Sequence, residues 1–309
     1  MRFLRQLVLF PMLALAGCST GDYRLFHPVG AIAHTELLYT IIDVGVMLII
    51  ILPVAVMIGV FSWRYHHSRN ATHTPDWSHS LTLEFLVWGV PLIMVAALGY
   101  FSFKSIFMVN PYGPTVLESN AAAPLDVDVI TTDWQWIFVY PAQHIATIDE
   151  LEVPAGRNVQ LRLTSTSVMN GFYIPQLAPM IDVMPGMRTK DAFESDQTGN
   201  FEGFSTDFSG AGFSWMRFAT KIVAPADFDK WISTVQASPT QLSYAAFQKL
   251  AQPTVNVSAK PAYFSNVDPK LFEKVYDAAN AGVVYPVPAA LTKSIADVSA
   301  QGPQASAAK

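Results

Sequence analysis

The pattern of apolar and polar positions divides the chain into stretches of different period. From Leu37 to Trp63 it is almost wholly apolar, "LLYTIIDVGVMLIIILPVAVMIGVFSW", and a second run extends from Phe85 to Phe103, "FLVWGVPLIMVAALGYFSF", closed by Lys104. Runs of this length cross a bilayer, the first with some tilt. After a linker containing Pro, Gly and Asn the period becomes two: "LDVDVIT" alternates at Leu125, Val127 and Val129, "NVQLRLT" at Val159, Leu161 and Leu163, and "MRFATKIV" closes the region. Short alternating strands separated by turn signals predict an all-β sandwich. From Pro225 the pattern turns helical, in "PADFDKWISTVQ", "SPTQLSYAAFQKLA" and "DPKLFEKVYDAANAG". These predict three short helices that cover the sandwich or a neighbouring subunit. The final "KSIADVSAQGPQASAAK" is small and polar, with the composition of a disordered tail.

The first residues, "MRFLRQLVLFPMLALAGC", place Arg2 and Arg5 before a short apolar run, Leu7 to Ala16. That is the layout of an export signal rather than of a span. Its end, Leu15-Ala16-Gly17-Cys18, resembles a bacterial lipobox, in which the cysteine is lipidated and becomes the new N-terminus. The alternative is a plain signal peptide with an incidental cysteine. Arg64 and Arg69 follow the first span directly and favour a cytoplasmic loop between the spans, which puts both ends of the mature chain outside. The expected organisation is a signal peptide over 1–17, an external segment over 18–36, spans at 37–63 and 85–104 around a cytoplasmic loop at 64–84, and a linker at 105–124. A sandwich follows at 125–224, a helical region at 225–285 and a tail at 286–309.

Composition narrows the function. Of 309 residues 51% are hydrophobic and only 14% charged, and the net charge of −5 with no basic patch excludes nucleic-acid binding. Cys18 is the sole cysteine, which excludes an internal disulfide and any protein-borne site needing two thiolates. The seven histidines all lie at or before His144, so the last half of the chain has neither Cys nor His, the usual ligands of soft and borderline metals. No nucleophile–base pair, phosphate-binding loop or dinucleotide fingerprint is present.

Against that background, "GFSTDFSGAGFSWMRF" (203–218) has the spacing of a metal-binding loop without its ligands. The lipobox, the two-helix hairpin and the external sandwich together resemble subunit II of the heme-copper terminal oxidases. In the branch that oxidises cytochrome c, the sandwich is a cupredoxin carrying the binuclear copper centre CuA. Its ligands are a His and, far downstream, Cys-x-x-x-Cys-x-x-x-His-x-x-Met, with a carbonyl oxygen from an acidic residue between the cysteines. On this chain the histidines fall at Asn170 and Phe213, the cysteines at Ser205 and Ser209, the carbonyl donor at Asp207 and the methionine at Met216. Serine hydroxyls remain protonated and are hard, weak ligands for Cu(I), and phenylalanine offers no lone pair. Met216 alone cannot retain copper and reads as a core side chain. A copper-free subunit II resembles the bo-type branch that oxidises ubiquinol, a likeness carried also by "SVMNGFYIPQL", "SGAGFSWMRF", "YPAQHIATIDE" and "PAYFSNVDPKLF" and extending from the lipobox to about residue 285.

The resemblance implies a proton-pumping quinol oxidase whose hemes and copper reside in subunit I, with this chain bearing no redox cofactor. Its expected partners are subunit I above all, subunits III and IV, membrane lipid, and ubiquinol as the substrate of the complex. It implies that Glu84 lies at the mouth of a proton-uptake pathway into subunit I; the simpler reading is a glutamate favoured by the helix dipole. Trp134 and Trp136, in "DWQWIFVYP", match an aromatic segment that conducts electrons in the copper-bearing relatives. On a strand both would face one side, and without a metal behind them packing and interface roles are favoured. Asp43 is the one charge in the first span and a functional candidate, though near the outer end it can equally reach the headgroups or pair with a partner subunit. His66, His67, His73 and His79 read as solvated loop residues. Two rivals remain: a CuA-type cytochrome c oxidase subunit, opposed by the missing ligands, and a free-standing membrane lipoprotein for partner binding or assembly.

Overall fold

The computed structural model describes residues 23–67, 79–110, 123–255, 260–288 and 291. The N-terminal segment with Cys18, most of the stretch between the two apolar helices with His73, and the C-terminal tail lie outside the described residues. Both apolar runs are helices that extend beyond their apolar stretches: α1 is Ala31–Arg64 and α2 is Leu81–Met108. At 34 residues α1 is roughly 50 Å long, well over a hydrocarbon core of about 30 Å, so its outer turns project into the external domain. Ile32 and Ala33 are buried there. Each helix carries an internal proline, Pro53 and Pro91, as spans tolerate more readily than soluble helices do.

The external domain is a sandwich of eleven strands: β1 Leu125–Thr132, β2 Gln135–Tyr140, β3 Ile145–Ile148, β4 Glu150–Pro154, β5 Val159–Ser165, β6 Asn170–Ile174, β7 Ala178–Val183, β8 Thr189–Phe193, β9 Gly199–Ser205, β10 Arg217–Val223 and β11 Ala262–Phe264. One sheet has the order β11-β3-β2-β1-β5-β8 and the other β4-β10-β9-β6-β7. Pairing is antiparallel except for β1 with β5 and β4 with β10. The alternating residues Leu125, Val127, Val129, Leu161 and Leu163 point between the sheets, where they join Trp136, Phe172 and Phe218.

The larger sheet is covered on its second face as well. Helices α3 (Pro225–Gln236), α4 (Tyr244–Leu250) and α5 (Leu271–Asn280) follow the last long strand. Phe247, Leu271, Phe272 and Val275 from α4 and α5 close over Ile130, Ile137, Val139 and Ala146. This is why "QWIFVY" of β2 is buried at every position instead of alternating. Strand β11, which sequence pattern did not anticipate, adds to the edge of β3 with Ala262 opposite Ile148. Arg162, held on the sheet by a bidentate pair with Asp128 (2.7 and 2.8 Å), meets α5 at the Phe272 ring, 4.8 Å from its centre, and at Glu273 (3.5 Å).

A short strap, residues 23–30, ties the sandwich to α1. Val29 and Gly30 both donate to the Gln176 carbonyl (2.8 and 3.0 Å), Gln176 Nε2 donates to His27 O (3.0 Å), and Arg24 pairs with Glu202. Gly30 is required by space: a Cβ there would stand 3.0 Å from the carbonyl oxygens of Leu177 and Glu194.

Two acids, Asp191 buried and Asp149 half-buried, make the domain sensitive to pH. Asp191 on β8 accepts from Ala192 N through Oδ1 (2.8 Å), its Oδ2 has no partner, and burial pushes its carboxyl up to about 8, with the charge of Glu36 adding to the effect. Asp149, which accepts from Trp136 N at 2.9 Å, is pushed up to about 7 by burial. Both values lie above the ordinary 3.8, so the stability these groups contribute is full below that pH and is lost as pH rises through about 7 and about 8. Unfolding followed by tryptophan fluorescence is expected to show the protein about 4 kcal/mol less stable at pH 9 than at pH 6, and Asp191→Asn should remove more than half of that difference. A parent protein equally stable at both pH values contradicts the assignment.

Candidate functional site

The candidate site is the loop between β9 and β10 together with the start of β6 beside it. The strand ends hold the loop at its base: Ser205 N donates to Met216 O (3.1 Å), and Thr206 N reaches across to Gly171 O on β6 (3.0 Å). A short 3-10 turn, Phe213–Trp215, closes the far side. Trp134 lies against the loop, its Nε1 donating to Ser209 O at 3.0 Å. Gly210 has a positive φ of 122°, and a Cβ on Gly212 would come within 2.5 Å of the Trp134 ring, so both glycines let the indole approach the backbone.

Asn170, Ser205, Phe213 and Met216 carry side chains with structural tasks, whereas the Ser209 hydroxyl is buried without a hydrogen-bond partner among the described residues. Asn170 is fully buried and its Nδ2 donates to Thr131 Oγ1 on β1 (2.5 Å) and to Val168 O (3.4 Å). Ser205 is buried and its Oγ donates to Asp207 O at 3.5 Å. The Ser209 carbonyl is taken by Trp134, and Phe213 packs edge-on against Phe208 with centroids 5.7 Å apart. Met216 is buried in the sandwich core. Burial, and then the facing Asp182 carboxylate, raise Asp207 above the usual carboxylate range.

The donor set does not fit a binuclear copper. An amide, two hydroxyls and a phenyl ring stand where thiolates and imidazoles would be needed, and the single thiol of the chain, Cys18, is remote in sequence. Among the described residues no group of three His, Cys, Asp or Glu is placed to hold a metal ion.

The two tryptophans take different roles. Trp134 lies in the turn before β2 because Thr132 pairs directly with Gln135, so the two rings do not share a strand face. Trp136 instead enters the core, 5.3 Å from Phe172 and 5.4 Å from Phe218, which stack on each other. Glu84 lies in the first turn of α2, half exposed, with Oε1 2.5 Å from His79 Nδ1. His79 thus has a carboxylate partner that reading it as a solvated loop residue did not reveal. The signal was its position just before the N-cap, Ser80, where the chain turns into the helix.

Gly212→Ala forces the added Cβ against the Trp134 ring. It should destabilise the protein by about 1–3 kcal/mol, as overpacked sites do, measured as a lower thermal midpoint with a changed tryptophan emission. An unchanged midpoint would mean that the indole does not brace the loop.

Comparison with known proteins agrees with this architecture. Residues 139–223 match the family described as cytochrome c oxidase subunit II, periplasmic domain, and residues 236–279 match the COX aromatic rich motif. Cytochrome bo(3) ubiquinol oxidase subunit 2 of Pseudomonas putida is 40% identical over 267 residues, covering 86% of this chain and 82% of that protein. The protein of the same name from Pseudomonas aeruginosa is 40% identical, covering 87% and 79%. Ubiquinol oxidase subunit 2 of Acetobacter aceti is 35% identical, covering 88% and 87%. With a copper-free cupredoxin frame behind two apolar helices, and identity of this extent along most of both chains, the protein belongs to the family of bo-type ubiquinol oxidase subunit 2.

Proposed function

We propose that this chain is the non-catalytic second subunit of a proton-pumping terminal oxidase that oxidises ubiquinol and reduces oxygen to water. The observation that carries the reading is the loop at 205–216, which keeps the frame of an electron-accepting copper site while Asn170, Ser205, Ser209 and Phe213 occupy its ligand positions. Family membership supports it, since relatives along most of the chain are named as subunit 2 of ubiquinol oxidases. Electrons then pass from quinol within the membrane to the hemes and copper of subunit I, and no external relay is required.

The chain is a two-pass inner-membrane protein with its sandwich on the periplasmic side, and other oxidase subunits are its partners. In the finer reading, α1 and α2 pack against subunit I, the sandwich covers its outer face, and subunits III and IV complete the assembly. Lipidation at Cys18 adds a membrane anchor a few residues before the strap. Glu84, with His79 beside it, collects protons at the cytoplasmic surface for an uptake pathway into subunit I. Trp134 and Trp136 hold the fold and its interface and carry no current. These assignments leave the complex as the enzyme and this chain as its scaffold and proton-uptake entrance.

Membranes of a strain in which this is the remaining terminal oxidase should lose quinol-driven oxygen uptake when the chain is deleted and regain it on re-expression. Uptake that persists without the chain sinks the proposal. Glu84→Gln should slow turnover severalfold with heme content unchanged, while Glu84→Asp stays close to the parent rate. A Glu84→Gln complex turning over at the parent rate would leave Glu84 only its dipole role.

A further inference from the structure

A cavity of about 520 Å³ lies where the outer ends of α1 and α2 meet β6 and β7 of the sandwich, walled by Glu36, Tyr39, Thr40, Asp43, Ser105 and Tyr173 among others. The four residues from α1 stand at i, i+3, i+4 and i+7 and form one stripe on the helix. Between Leu37 and Phe61 the polar side chains of α1 are Tyr39, Thr40 and Asp43, all on that stripe, so the rest of the span is apolar and this one face is not. Among the described residues no Lys, Arg or His lines the cavity, and neither Glu36 nor Asp43 has an ion-pair partner. Asp43 Oδ1 is inaccessible to solvent and accepts no hydrogen bond from the described residues. Tyr39 is already committed to α2, its hydroxyl donating to Met108 Sδ at 3.1 Å. The acidic field of this corner reaches into the sandwich, where the charge of Glu36 adds to burial in raising Tyr173 and Asp191.

A polar stripe cannot face lipid, and two carboxylates without a counter-charge at the rim of a bilayer call for a cation. A lipid ammonium group could meet Glu36 at headgroup level. Asp43, however, is seven residues further in, about 10 Å deeper along the helix. A side chain with a long apolar stem and a charged tip reaches both levels.

We propose that this cavity is a docking site for a basic side chain, Arg or Lys, projecting from the membrane-embedded part of the heme-bearing subunit and pairing with Asp43 and Glu36. The proposal rests on the reading of this chain as an oxidase subunit, and its test separates the two. The complex is purified through a tag on this chain, and heme retained per chain is measured after washing at rising salt, for the parent and for Asp43→Asn, Glu36→Gln, the double variant and Asp43→Glu. In a second arm, a photo-reactive residue placed at Thr40 in the otherwise intact complex is cross-linked and the attached peptide sequenced.

The double variant is expected to retain at least severalfold less heme than the parent. Asp43→Asn should be intermediate, and Asp43→Glu close to the parent, which shows that charge rather than misfolding decides the outcome. The cross-link should fall on a heme-subunit peptide that contains Arg or Lys. Parent chain that retains no heme contradicts the proposed function itself. Parent and double variant retaining heme equally, or a cross-link to lipid alone, overturns the docking proposal and leaves the proposed function standing. A double variant that fails to reach the membrane while Asp43→Glu assembles also supports the docking proposal, because assembly then depends on the same charge.

Discussion

The structure depends most on how an emptied metal loop is held closed. Here the cross-links are a hydrogen bond from Asn170 to Thr131, backbone bonds from Ser205 to Met216 and from Thr206 to Gly171, and the Trp134 indole braced against Gly210 and Gly212. Each is a contact of modest net worth, about 1 kcal/mol for a typical hydrogen bond. Together with the buried Trp136, Phe172 and Phe218 they keep the loop in register without the metal. The replacement residues are therefore more than lost ligands. An amide that spans two strands and a phenyl ring that packs on Phe208 do tasks that an unliganded imidazole would do poorly.

That rigid loop belongs to a domain built to sit over the membrane. The strap at 23–30 and the buried first turn of α1 fix the sandwich to the outer end of one span. The C-terminal helices cover the face of the larger sheet that would otherwise be open, and Arg162 secures the last of them through Phe272 and Glu273. The acidic cavity at Asp43 lies beneath this platform, where the three parts of the chain converge. Structural economy of this kind suits a subunit that supports chemistry carried out elsewhere.

Much of this was legible in the residues. The two spans follow from unbroken apolar length, and β1, β5 and β10 from their alternation, because those strands have one face toward the sheet-to-sheet core and the signal is local. The absence of thiolate and imidazole from residues 203–218 was legible because ligand chemistry is written in residue identity. Other features depend on tertiary neighbours and left no local trace. Strand β11 is three residues long and exists because the edge of β3 is there to receive it. The continuous burial of β2 reflects helices more than a hundred residues further on. Trp134 reads as a strand residue until the tight pairing of Thr132 with Gln135 places it in the turn. The His79–Glu84 pair and the polar stripe through Asp43 are likewise visible as spacings, but their partners are defined only by the folded chain.

The central claim is that electrons reach this oxidase through the membrane and not through the external domain. The most direct test is oxygen uptake by the purified complex containing this chain, supplied with a reduced ubiquinol analogue and, separately, with reduced cytochrome c. Turnover with the quinol and none with cytochrome c is the predicted result. Sustained turnover with cytochrome c would require an electron-accepting site in a loop whose ligand positions hold asparagine, serine and phenylalanine, and it would contradict the account.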